Sequence, residues 1–110
     1  MRKTEAEMIW KERYGNKKLV KDFHGNYMSF EGYGNPNYVC KVNGKKIYSG
    51  WNIHHILPKS KGGPNDKGNL ECTNIITNQR IADKTTYWLD DKKYQVRKKC
   101  NAYVISKLVY

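Results

Sequence analysis

The dipeptide Asn43-Gly44 constrains this chain more than any other feature. It stands between Tyr38-Val39-Cys40-Lys41-Val42 and Lys45-Lys46-Ile47-Tyr48. Asn-Gly accepts the positive φ angles of a type I′ turn, so the two flanking runs should pair as a tight hairpin. Similar punctuation recurs along the chain. Leu19-Val20-Lys21 and Tyr27-Met28 lie on either side of a Gly25-Asn26 turn, and residues 85–89 and 94–98 flank Asp90-Asp91-Lys92-Lys93. Residues 51–57 alternate enough for a strand ended by Pro58, and Leu70-Glu71-Cys72-Thr73 should return beside it after a Lys-, Gly-, Asn- and Pro-rich loop. Two short helices complete the reading. Thr4 and Glu7 form a capping-box pattern opening a helix that runs to about Tyr14 before Gly15 stops it. Asn74 to about Lys84 suits a second helix. The tail over residues 102–109 is apolar enough to pack, with helix and strand both open there. Short strands with two helices make an α+β fold.

A chain of 110 residues has room for a single small domain spanning 1–110. Its mean hydropathy of −0.90 is polar, yet nine Tyr, three Trp and two Phe can furnish an aromatic core. No window holds the ~18 apolar residues a membrane span needs, and Met1-Arg2-Lys3-Thr4-Glu5 leads into no apolar signal core. A cytoplasmic protein is expected. The formal charge of +11 favours a phosphate polyanion as partner, since every neutralised phosphate releases condensed counterions. A membrane surface would call for a basic amphipathic helix or a compact basic block, and the Lys and Arg residues here are spread throughout. Cys40, Cys72 and Cys100 are too far apart for a zinc knuckle and too few for a disulfide framework, so they read as reduced, mostly buried thiols.

The chemistry concentrates between about residues 51 and 84. His54 and His55 are adjacent, and neighbours on a strand point to opposite faces, so they serve one point only where the strand ends or twists, an ending that Pro58 permits. The setting of the pair says more. The run Trp51-Asn52-Ile53-His54-His55-Ile56-Leu57-Pro58-Lys59-Ser60-Lys61-Gly62-Gly63 leads to Asn69-Leu70 and then to Asn78. Thirteen residues lie between His55 and Asn69, and eight between Asn69 and Asn78. In this order and spacing the segment resembles the HNH endonuclease family. Asp22-Phe23-His24-Gly25-Asn26 followed by Tyr33-Gly34 also resembles the lead-in of small prokaryotic and phage members.

The resemblance implies a ββα-metal (His-Me finger) core decorated by the N-terminal helix and the hairpins. It implies metal-dependent hydrolysis of phosphodiester bonds in DNA, nicking one strand to leave 5′-phosphate and 3′-OH ends. His54 and Asn78 would hold one divalent cation: magnesium or manganese first, with nickel, cobalt or zinc as alternatives that suit an imidazole better. His55 would be the general base, a task for which histidine as a residue type is suited because it can be neutral yet basic near physiological pH. Asn69 would bond loop backbone and thereby orient His55. Many relatives carry Asp at the position of His54, so the site here would be uncharged, with metal occupancy completed by DNA. Lys59, Lys61, Arg80 and Lys84 are expected to contact the phosphate backbone. Lys92, Lys93, Arg97, Lys98 and Lys99 could extend that track or be solvated charge. By analogy with phage and mobile-element relatives, a second protomer or a targeting or packaging partner in a bacterial host is conceivable.

The remaining residues take plainer assignments. Trp51, Tyr87, Trp88 and Tyr94 are read as hydrophobic packing, His24 as a surface residue in a turn, and Cys72 as packed under the helix. Two other functions compete: a non-catalytic nucleic-acid-binding protein that retains the fold, and a structural zinc module.

Overall fold

A computed structural model describes residues 1–108. The elements run α1 (Lys3–Tyr14), β1 (Leu19–Lys21), β2 (Tyr27–Ser29), β3 (Val39–Val42), β4 (Lys45–Tyr48), β5 (Trp51–His55), β6 (Leu70–Asn74), α2 (Ile75–Ile81), β7 (Thr86–Leu89), β8 (Lys92–Lys99) and β9 (Ala102–Leu108). Val109, the last residue of the expected tail element, lies outside the described residues. The tail resolves to a strand. β1–β2, β3–β4 and β5–β6 form two-stranded sheets, and β7–β8–β9 form a three-stranded meander. The Asn43-Gly44 hairpin forms as expected, with φ of 52° and 79° at the two turn residues and Val42 opposite Lys45.

The chain divides into two compact units, and the division falls within β5, between Ile53 and His54. The first unit comprises residues 1–53 and 72–79. Its core is aromatic: Trp10, Met28, Trp51 and Ala6 are fully buried, joined by Phe30 and Cys72. The Trp10 ring lies 4.7 Å from Trp51 and 5.6 Å from Phe30, centroid to centroid. Both indoles also satisfy their N–H groups, Trp10 on the Lys17 carbonyl at 2.9 Å and Trp51 on the Phe30 carbonyl at 3.1 Å. Such residues bury large area without leaving a buried donor unpaired, which is how a polar chain builds a core.

α1 starts one residue before Thr4, after Arg2, and no side chain caps it. The expected capping box is therefore absent. Gly15 does terminate the helix, at φ 64°, and its N–H bonds the Lys11 carbonyl. The second helix owes its start to Asn74, whose Oδ1 accepts the N–H groups of Ile76 (2.9 Å) and Thr77 (3.4 Å). It ends at Ile81, three residues short of the expected Lys84, because Ala82 adopts a left-handed φ of 53°. No glycine announced that stop.

The second unit comprises residues 54–71 and those from Arg80 onward. Its core gathers Ile56, Ile81, Tyr87, Leu89, Tyr94 and Ile105. β7 alternates cleanly, with Tyr87 and Leu89 buried and Thr86 and Trp88 exposed. Trp88 is 57% exposed, so its assignment to packing is corrected, while Trp51, Tyr87 and Tyr94 are buried. The cysteines are corrected as well: all three are free thiols, but only Cys72 is buried, and Cys100 is exposed. Among the described residues, no helix is long and apolar enough to cross a membrane.

Candidate nuclease site

β5 extends through both histidines, so the strand alternation sends their side chains to opposite faces. His54 is buried, at 5% exposure, whereas His55 is half-buried. β5 pairs with β6, and the Ile56 N–H continues that pairing onto the Asn69 carbonyl at 2.9 Å. Chain then leaves the strand at Leu57-Pro58 and makes the loop that returns at Asn69.

Asn69 closes that loop. Its side chain is 1% exposed and makes three bonds to backbone. Oδ1 accepts the Leu57 N–H at 2.7 Å, and Nδ2 donates to the carbonyls of Leu57 at 3.0 Å and Pro64 at 2.9 Å. A carboxamide suits this place because it offers donor and acceptor together at one end of a short side chain. The loop also needs Gly63, where a Cβ would stand 1.8 Å from the Leu57 carbonyl oxygen. Only hydrogen fits there.

Pro64, held by Asn69, precedes Asn65, whose Oδ1 lies 2.8 Å from His55 Nε2. In the tautomer with the hydrogen on Nε2, the ring donates to this amide oxygen and presents Nδ1 as an acceptor. Sequence reasoning missed Asn65. The signal for it was faint, a single Asn beside Gly-Gly-Pro in a loop where Asn is common anyway.

Asn78 lies on α2 in the first unit, partly buried, and its Nδ2 donates to Asn52 Oδ1 at 2.8 Å. That bond leaves the Asn78 amide oxygen available as a hard donor. Asn52 stands two positions before His54 on β5. Among the described residues no cluster of three or more His, Cys, Asp and Glu side chains is poised around a metal. A histidine nitrogen and a carboxamide oxygen are each donor types that suit a divalent cation otherwise ligated by water and phosphate oxygens.

The α2 N-terminus is tied to the β1–β2 turn by a buried polar network. Asp22 is buried, its Oδ1 accepting the N–H groups of His24 and Asn26 at 3.0 and 2.9 Å, and its Oδ2 the Asn74 N–H at 3.1 Å. Asn26 Nδ2 reaches Thr77 Oγ1 at 2.7 Å, and Asn74 Nδ2 binds the carbonyls of Tyr27 and Tyr48. Burial pushes the Asp22 carboxyl above its ordinary value, against the lowering effect of those N–H groups. His24 is half-buried rather than a plain surface residue, and burial pushes its imidazole down to about 4. This network sets the position of the helix that bears Asn78.

The expected phosphate contacts divide. Lys59 and Lys84 are exposed. Lys61 is also exposed, but its Nζ donates to the Asp83 carbonyl at 2.8 Å. Arg80 lies 3.4 Å from Asp90 in a solvent-facing pair, which holds it only weakly.

The HNH endonuclease family model matches residues 39–74, about a third of the chain. His54, His55 and Asn69 fall inside the match, and Asn78 lies beyond its end. No curated protein and no solved structure matches. Proteins of this family are nucleases that act on DNA and generally use a divalent metal ion. Over this segment, the chain is similar to the HNH endonuclease family.

Proposed function

We propose that the protein is a DNA endonuclease that hydrolyses phosphodiester bonds one strand at a time, with His55 as general base and one divalent cation. The observation that carries this reading is the fixed imidazole of His55. Its Nε2 is engaged by Asn65 at 2.8 Å, and Asn65 adjoins Pro64, whose carbonyl is held by the buried Asn69 amide. A solvated histidine on a strand would need no such support; a base that must meet one water molecule does.

In this account Nδ1 of His55 takes the proton from the attacking water, and the Nε2–H bond to Asn65 stabilises the imidazolium that results. His54 and Asn78 would hold the cation, which would supply Lewis-acid stabilisation of the scissile phosphate and the departing 3′ oxygen. Products carry 5′-phosphate and 3′-OH ends. Lys59 and Lys84 contact backbone phosphates, joined by Lys61 and Arg80 where DNA displaces their present partners.

Conversion of supercoiled plasmid to the open circle tests the reading. Nicking is expected with magnesium or manganese, absent with a chelator, and the nicks should be sealed by a ligase that requires 5′-phosphate and 3′-OH. Metal-independent nicking, or ends that resist sealing, contradicts it. A purely DNA-binding protein would retard the plasmid and leave it supercoiled.

A further inference from the structure

The three-stranded sheet of the second unit has one face on the unit's core; the other is more open, with Gly68 packed against Ala102 at its Lys99 end. Tyr94 and Val96 of β8 and Ile105 of β9 turn inward. Opposite residues of an antiparallel pair share a face, so the registers define the other side. Trp88 pairs with Lys93, Gln95 with both Thr86 and Ser106, Arg97 with Val104, and Lys99 with Ala102. That face therefore presents an indole 57% exposed, then a row of three cations along β8. Lys93 Nζ lies 5.8 Å from the Trp88 ring centroid. Lys93 to Lys99 spans about 20 Å at a strand's rise per residue. Beside the row, Arg97, Lys98, Lys99, Val104 and Ser106 line a depression of about 540 Å³. The β7, β8 and β9 residues of this face include no carboxylate; Asp90 and Asp91 sit in the turn at its end, where Asp90 meets Arg80.

A tryptophan 57% exposed keeps much of its ring in water, and a row of like charges along one strand repels itself. A single-stranded nucleic acid resolves both costs, because every base offers a π-face to stack and every nucleotide a phosphate. We propose that this face of the β7–β8–β9 sheet binds single-stranded DNA, with a base stacked on Trp88 and the backbone running along Lys93, Arg97 and Lys99. A duplex, its base faces already stacked, could use the cations but not the indole. The proposal stands independently of the cleavage reading, since it concerns other residues and needs no metal.

Tryptophan emission with a deoxythymidine oligonucleotide, in chelator, reads the contact directly. Trp10 and Trp51 are fully buried, so Trp88 is the indole a base can reach. The oligonucleotide should quench emission in the parent chain, and Trp88→Ala should abolish the quenching and weaken binding about tenfold. Trp88→Phe should restore most of the affinity. Arg97→Ala and Lys99→Ala should each reduce the slope of log affinity against log salt by about 0.7. Thermal midpoints unchanged in these surface variants establish that they are folded. Emission that stays unquenched, equal affinity in Trp88→Ala, or a tighter, Trp88-independent grip on duplex overturns the proposal. So does binding to phosphatidylserine vesicles in place of the oligonucleotide.

Discussion

At the scale of single residues, the site is a matter of satisfied amides. Asn69→Ala removes one acceptor and two donor bonds from a side chain with no access to water, leaving the Leu57 N–H buried and unpaired. Urea unfolding should show a loss of about 1–3 kcal/mol, with nicking reduced in parallel. Asn65→Ala separates function from stability. Asn65 is exposed, so its removal should leave the unfolding free energy within about 0.5 kcal/mol of the parent. Its nicking rate at saturating DNA should fall while DNA affinity holds, and Asn65→Asp, which keeps an acceptor on Nε2, should recover part of the rate. His24 offers a third test. Its imidazole is pushed down to about 4 by burial, from an ordinary 6.5. Above pH 6.5 it is neutral in both states; between 6.5 and 4 the unfolded chain takes up a proton that the folded one refuses. Stability should therefore fall as pH drops through that window and level off below it. Asp22, its carboxyl pushed up by burial, acts in the opposite sense at acid pH, but it is common to both chains. The difference between the parent and His24→Gln, followed by thermal midpoint against pH, isolates the histidine. A constant difference from pH 7 to 4 would contradict the assignment.

At the scale of elements, what could be read in advance depended on whether the signal was local. The Asn43-Gly44 hairpin, the Gly25-Asn26 turn and the last hairpin declare themselves by turn chemistry, and each formed, the last with a turn of Asp90-Asp91 alone where Lys92 and Lys93 were expected to belong to it. The order of His54, His55, the Gly62-Gly63 loop, Asn69 and Asn78 was likewise a chain-local pattern. Other features depend on tertiary partners. Thr4 matched a capping pattern but did not cap, since α1 begins before it. Ala82 ends α2 in a left-handed conformation that alanine does not advertise. Trp88 was assigned to a core by its type, and only the strand register turns it outward. The loop between β5 and β6 carries the sharpest prediction at this scale. Gly63→Ala would drive a Cβ to 1.8 Å from the Leu57 carbonyl oxygen, so the loop must open and carry Pro64 and Asn65 with it. Nicking should be lost even at temperatures where the circular dichroism of the variant matches the parent. Gly62, at φ 85° with open space where its Cβ would stand, is a milder site: Gly62→Ala should cost about 1 kcal/mol and preserve activity.

At the scale of the whole molecule, the +11 charge bears on affinity for DNA, and the candidate site bears on the cleavage step. Affinity for duplex DNA should fall linearly with log salt, with a slope of about 0.9 per phosphate contacted, and nicking at subsaturating DNA should fall with it. The cleavage step at saturating DNA should respond instead to the metal and to His55. That separation makes one experiment decisive. Single-turnover nicking of supercoiled plasmid, measured for the parent and for His55→Ala at saturating protein with and without added imidazole, tests the base itself. The account predicts a rate at least about 100-fold lower in His55→Ala with binding intact, and partial recovery when imidazole occupies the vacated space. Equal rates in the two proteins would contradict it.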